Sequence, residues 1–128
     1  MQEHDALSPA TYAIDIEQNQ VTMTLRCDLT AEAFARCRDL ALADPNYKRG
    51  MRWYVDCRVL TSIPTQTETA RLAADHVEHR DERGIGRTAI VVLTPTGFLF
   101  AQTWLQVNHP PGTFGVFTSQ ADAKAWLG

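Results

Sequence analysis

The sequence predicts an α/β fold: a single mixed β-sheet, opened by an antiparallel hairpin and continued by parallel strands, with about four helices packed on it. Three observations carry this expectation. Residues 11–28 alternate apolar and polar side chains across a short polar break, the pattern of a hairpin with one wet face. Residues 89–93, Ala-Ile-Val-Val-Leu, are apolar without interruption, as a strand covered on both faces requires. Between the strand-like stretches lie segments with helix start and stop signals, so strands and helices alternate.

Residues 1–10 are polar and are expected to form a flexible leader before one domain, 11–128. From Thr11 to Glu17 the period of two places Tyr12, Ile14 and Ile16 on one face. After the turn Gln18-Asn19-Gln20, Val21, Met23, Leu25 and Cys27 alternate with polar residues as the second strand. Thr30 is placed to cap a helix from Ala31 to about Ala43, with Glu32 in its positive first turn. Phe34, Cys37, Leu40 and Ala41 fall on its inner side, and Pro45 stops it.

The chain is organised around residues 51–68, MRWYVDCRVLTSIPTQTE. Trp53, Val55, Cys57 and Val59 alternate with Tyr54, Asp56 and Arg58, which predicts a largely covered strand. Asp56 interrupts it. A polar loop follows, and Thr65-Gln66-Thr67-Glu68 has the form of a capping box opening a second helix to about Arg83. That helix is expected to turn Ala70, Leu72, Ala73 and Val77 inward and to end at Gly84. Arg87 to Leu93 is the expected central strand. Thr94 and Pro95 then start a third helix through about Asn108, ended by Pro110-Pro111-Gly112. Thr113 to Phe117 is a short last strand, and Ser119 with Asp122 caps a final helix docking Ala123, Trp126 and Leu127.

Composition narrows the function classes. With 128 residues, the chain has one core's worth of material and needs no disulfide or metal staple. No apolar run reaches the roughly 18 residues of a membrane span, and the start lacks the pattern of a signal peptide, so a cytoplasmic protein that is not membrane-embedded is expected. The net charge of −3 speaks against nucleic acid as a partner. Lys48, Arg49 and Arg52 form one basic group, read as a solvated turn. Cys27, Cys37 and Cys57 have no metal-ligand spacing and read as buried thiols.

The element order, Val55-Asp56 before a polar loop and helix, and the ending Val116-Phe117-Thr118-Ser119-x-x-Asp122-x-x-x-Trp126-Leu127-Gly128 together resemble the STAS-like proteins related to bacterial anti-anti-sigma factors. The resemblance runs from about Thr11 to Gly128. It implies a STAS-like fold that acts by binding without catalysis. In anti-anti-sigma domains the corresponding loop reads Asp-Ser-Ser-Gly, and its first Ser is phosphorylated by a partner kinase. Here that stretch is Pro64-Thr65-Gln66-Thr67, which retains only the Thr65 hydroxyl. Thr65 has two readings: a phosphoacceptor, or a helix cap contributing ~1 kcal/mol.

The expected partner or switch loop therefore comprises Asp56, Thr61, Ser62, Thr65 and Thr67, at the end of a strand facing a helix N-terminus. A second candidate is the stripe Phe100, Trp104 and Val107, with Phe98 and Leu99 beside it. Phe98, Ala101 and Leu105 are expected to satisfy the core. The second stripe either joins the core, covers a homodimer interface, or lines a site for an apolar small molecule with Trp53. His76, His79 and Asp75 share helical spacing but read as a solvated face, so no metal is expected. No nucleophile elbow and no phosphate-binding Gly motif is present, so no cofactor is expected and no catalytic residue is assigned; a hydrolase is the third reading. The first is a protein-interaction module, and the second a carrier or sensor of a lipid-like molecule held between the third helix and the sheet.

Overall fold

The computed structural model describes residues 8–26 and 28–128. Its elements run β1 Ala10–Asp15, β2 Gln20–Leu25, α1 Ala31–Ala43, β3 Arg52–Cys57, α2 Gln66–Arg83, β4 Thr88–Val92, α3 Pro95–Leu105, β5 Phe114–Phe117 and α4 Gln120–Leu127. Residues 1–7 of the expected leader, and Cys27, lie outside the described residues. The leader's last residue, Ala10, already belongs to β1 and is buried.

The five strands lie side by side in chain order, β1 and β2 antiparallel and every later pair parallel. Each parallel step advances one place in the same direction. Crossovers of one hand, repeated in one direction, deliver their helices to one face of the sheet. Accordingly α1, α2 and α3 cover the face that carries Val21, Met23, Trp53, Val55, Cys57, Ile90 and Val92. The opposite face, with Tyr54, Ala89 and Val91, is covered by Ala123 and Leu127 of α4. All five residues of β4 are buried, which accounts for its unbroken apolar run, but the middle strand is β3.

Helix starts follow their local signals. Thr30, Thr65, Thr94 and Ser119 each accept a hydrogen bond from a backbone N–H three residues on. Gly84 ends α2 with φ +69, a left-handed conformation costly for a residue bearing Cβ. Two of the three cations of the basic group are spent on carbonyls: Arg49 donates to those of Asp81 and Glu82 at the end of α2, and Arg52, the first residue of β3, to that of Gln18.

Several inward faces differ from expectation. In α2 the buried residues are Thr69, Leu72, Ala73 and His76, an i, i+3, i+4, i+7 row that passes over Ala70 and Val77. In α3 they are Gly97, Phe100, Ala101, Thr103 and Trp104, while Phe98, Leu99 and Leu105 face outward. The rotation of α3 is set at its first turn. A Cβ on Gly97 would lie 3.1 Å from the Cys57 carbonyl oxygen, so this side of the helix is held against the end of β3. Phe100 and Trp104 follow three and seven residues later on the same side and pack on Phe34. Burying a ring of this kind contributes roughly 1.5–3 kcal/mol. Ile16 and Leu40, expected inside, are exposed; Ile16 falls in the hairpin turn beyond the end of β1.

Candidate functional site

The parallel strands β3 and β4 end at one rim of the sheet, and the candidate loop is built there. Asp56 is the last residue but one of β3. Its Oδ1 accepts from the Arg58 backbone N–H and from Arg58 Nε, each at 3.0 Å, and its Oδ2 accepts from the second guanidinium nitrogen at 2.9 Å. Burial alone would push this carboxyl's pKa up, but the Arg58 bonds outweigh it and hold the pKa below the ordinary value. Arg58 is the partner that residue patterning missed. Arg58 lies one residue beyond β3, in a turn that Asp56 closes by accepting from the backbone N–H two residues on, a local pairing that strand alternation does not show.

Beyond Arg58 the chain exposes Val59, buries Leu60 and continues through Thr61, Ser62 and Ile63 to a buried Pro64. Thr94 Oγ1 donates to the Leu60 carbonyl at 2.5 Å and accepts from Gly97 N–H at 2.9 Å, tying this loop to the start of α3. Thr65 and Glu68 complete the capping box reciprocally. Glu68 N–H donates to Thr65 Oγ1 at 3.1 Å, and Thr65 N–H donates to Glu68 Oε1 at 3.0 Å. Thr61, Thr65 and Thr67 are exposed and Ser62 half-buried. On the same rim Val59, Leu93 and Phe98 are 59 %, 58 % and 46 % exposed, an apolar border to a polar loop.

The third-helix stripe divides. Phe98 stays outside, Val107 is partly buried against the core, and Phe100 and Trp104 are core residues, 0 % and 3 % exposed. A homodimer interface made of Phe100 and Trp104 is therefore excluded by their burial. They instead wall an internal cavity of about 30 Å³ with Phe34, Trp53, His76 and Thr88. That is room for about two water molecules, an order of magnitude below the pocket of a drug-sized ligand. A lipid chain does not fit a space of this size.

His76 and His79 separate. His76 is buried against Trp104, with ring centroids 5.4 Å apart. Burial lowers its pKa to about 4, helped by His109, Arg80 and Arg83. His79 stays at the surface, where Glu82 Oε1 lies 3.0 Å from its Nδ1 and raises its pKa. Asp75 stays with His79, its Oδ1 3.6 Å from His79 Nε2, while its Oδ2 accepts from Arg38 at 3.0 Å and Arg83 at 2.8 Å. Cys57 is 0 % exposed and burial pushes its thiol pKa far up, which makes it a poor nucleophile.

This arrangement has a counterpart of known structure. An uncharacterized protein from the DUF3478 family with a SpoIIAA-like fold, from Shewanella loihica PV-4, superposes over 93% of this chain and 94% of its own, with a TM-score of 0.58 and 20% identity. The chain has a SpoIIAA-like fold. The STAS-like architecture implied by the sequence motifs is thus its architecture. No protein-family model and no curated protein matches the sequence. In this SpoIIAA-like domain no helix among the described residues is long and apolar enough to cross a membrane.

Proposed function

We propose that this SpoIIAA-like domain is a non-catalytic regulatory module of the bacterial cytoplasm. It binds a protein partner through the rim formed by the Thr61–Thr67 loop and the first turn of α3. The observation that carries this reading is the composition of the rim: Val59, Leu93 and Phe98 stand exposed around a loop of exposed hydroxyls anchored by Asp56 and Arg58. Apolar anchors bordered by polar, hydrogen-bonding residues are what a protein-binding surface offers. The inert Cys57 beside it speaks for binding over catalysis.

The test is retention of a partner on immobilised protein, comparing wild type with Val59→Glu/Phe98→Glu and with Leu40→Glu, an exposed apolar residue of α1. A specific partner held by wild type and Leu40→Glu but lost by the folded rim variant supports the proposal. Equal retention by all three removes it.

A further inference from the structure

The cavity below the first residues of β3 and β4 has walls whose polar atoms are not provided for. Pairing across the sheet sets Trp53 beside Thr88 and Thr88 beside Phe114, and α2 and α3 lay His76 and Trp104 over this row. Trp53 Nε1, His76 Nε2, Thr88 Oγ1 and Trp104 Nε1 are all buried without a hydrogen-bond partner. Their residues are 4 %, 7 %, 5 % and 3 % exposed. The Tyr47 hydroxyl lies near Trp53 Nε1 and offers it a weak acceptor, which leaves His76, Thr88 and Trp104 as the three wholly unprovided groups. The remaining polar wall, Arg38, is committed to Asp39 and Asp75.

Buried polar groups are almost always satisfied, by protein or by an enclosed guest. Three such groups, on residues that line one cavity, indicate a guest rather than three separate defects. The chemistry of the walls specifies it. An indole N–H only donates, a hydroxyl donates and accepts, and an uncharged imidazole nitrogen does one or the other according to tautomer. The guest must therefore accept at least one hydrogen bond, and a space of about 30 Å³ limits it to about two water-sized units.

We infer that this cavity is a binding site for a compact hydrogen-bond acceptor that takes the Trp104 Nε1 proton and bridges to His76 Nε2 and Thr88 Oγ1. Two sources share this chemistry: solvent water, and a formate-sized carboxylate. The site stands apart from the docking rim and does not depend on it.

The experiment compares the full chain with Thr88→Val, which keeps the β-branched shape and removes the hydroxyl. Oxygen-17 relaxation dispersion counts long-lived internal waters, and melting is followed in sodium formate against sodium chloride at equal ionic strength. With water as the guest, Thr88→Val loses the dispersion of at least one long-lived water and melts lower than wild type. With a carboxylate as the guest, formate raises the wild-type melting temperature saturably and leaves Thr88→Val unmoved. If the dispersion is the same in both proteins, formate has no effect on either and Thr88→Val melts higher, the cavity is dry, its hydroxyl was simply unsatisfied, and the inference is overturned.

Discussion

His76 of α2 meets Trp104 of α3 edge to face, with ring centroids 5.4 Å apart and planes inclined at 66°. A titratable ring is thereby enclosed in the core, and its proton becomes a folding variable. The folded pKa, about 4, lies below the ordinary 6.5 because burial and the nearby His109, Arg80 and Arg83 oppose the charge. As pH falls through this window the unfolded chain takes up the proton first, so stability falls with it, by up to roughly 3 kcal/mol below the folded pKa. Urea unfolding at intervals from pH 7 to 4 should show this slope, and His76→Leu should flatten it whatever its effect at pH 7. His79 has the opposite sign. Its raised pKa gives stability that is full below the unfolded value and lost as pH rises through the folded one, so it acts above the His76 window.

Trp104 is a core residue rather than an interface residue. Trp104→Ala should cost about 3–5 kcal/mol in chemical denaturation. Trp104→Asp should fail to fold, and a soluble, folded Trp104→Asp monomer would contradict the burial described for α3.

Asp56 depends on Arg58. The native carboxyl has a lowered pKa, so its contribution is present above the unfolded value and lost as pH falls through the folded one. Arg58→Ala should raise the Asp56 pKa, read directly by carboxyl-carbon NMR titration, and shift acid unfolding to higher pH. An unchanged Asp56 titration would mean that the two guanidinium bonds do not persist in solution.

Thr65→Ala should lower stability by about 1 kcal/mol, and Thr65→Ser should recover most of it, because the capping hydroxyl is what α2 requires. The same hydroxyl is the exposed group a kinase would address. Its phosphorylation would break the reciprocal bonds with Glu68 and place two negative groups together, so a mass shift on Thr65 should be accompanied by fraying of the first turn of α2, read by amide exchange.

Much of the candidate site was legible locally. The four-residue signature from Thr65 to Glu68 specifies the capping box because all its hydrogen bonds lie within one turn. The strand itself was legible but its end was not: alternation carries it through Val59, whereas β3 stops at Cys57 and Val59 is exposed. Arg58 was not recognised as the clamp, since alternation counts it only as an outward polar residue. His76 was placed on a wet face because its neighbours Asp75, Glu78 and His79 are polar, whereas its spacing from Thr69, Leu72 and Ala73 puts it inside.

The sequence by itself determined the mixed α/β class, the order of the elements, the helix caps and the covered strand β4. These depend on contacts a few residues apart and on the periods of strand and helix. Only the tertiary structure decided that β3 is the middle strand, that Phe100 and Trp104 are core while Phe98 stays exposed, and that His76, Thr88 and Trp104 line one cavity. A helix apolar nearly all round has no preferred face of its own. The approach of Gly97 to the Cys57 carbonyl, and the space beside Phe34 for two large rings, choose the face for it.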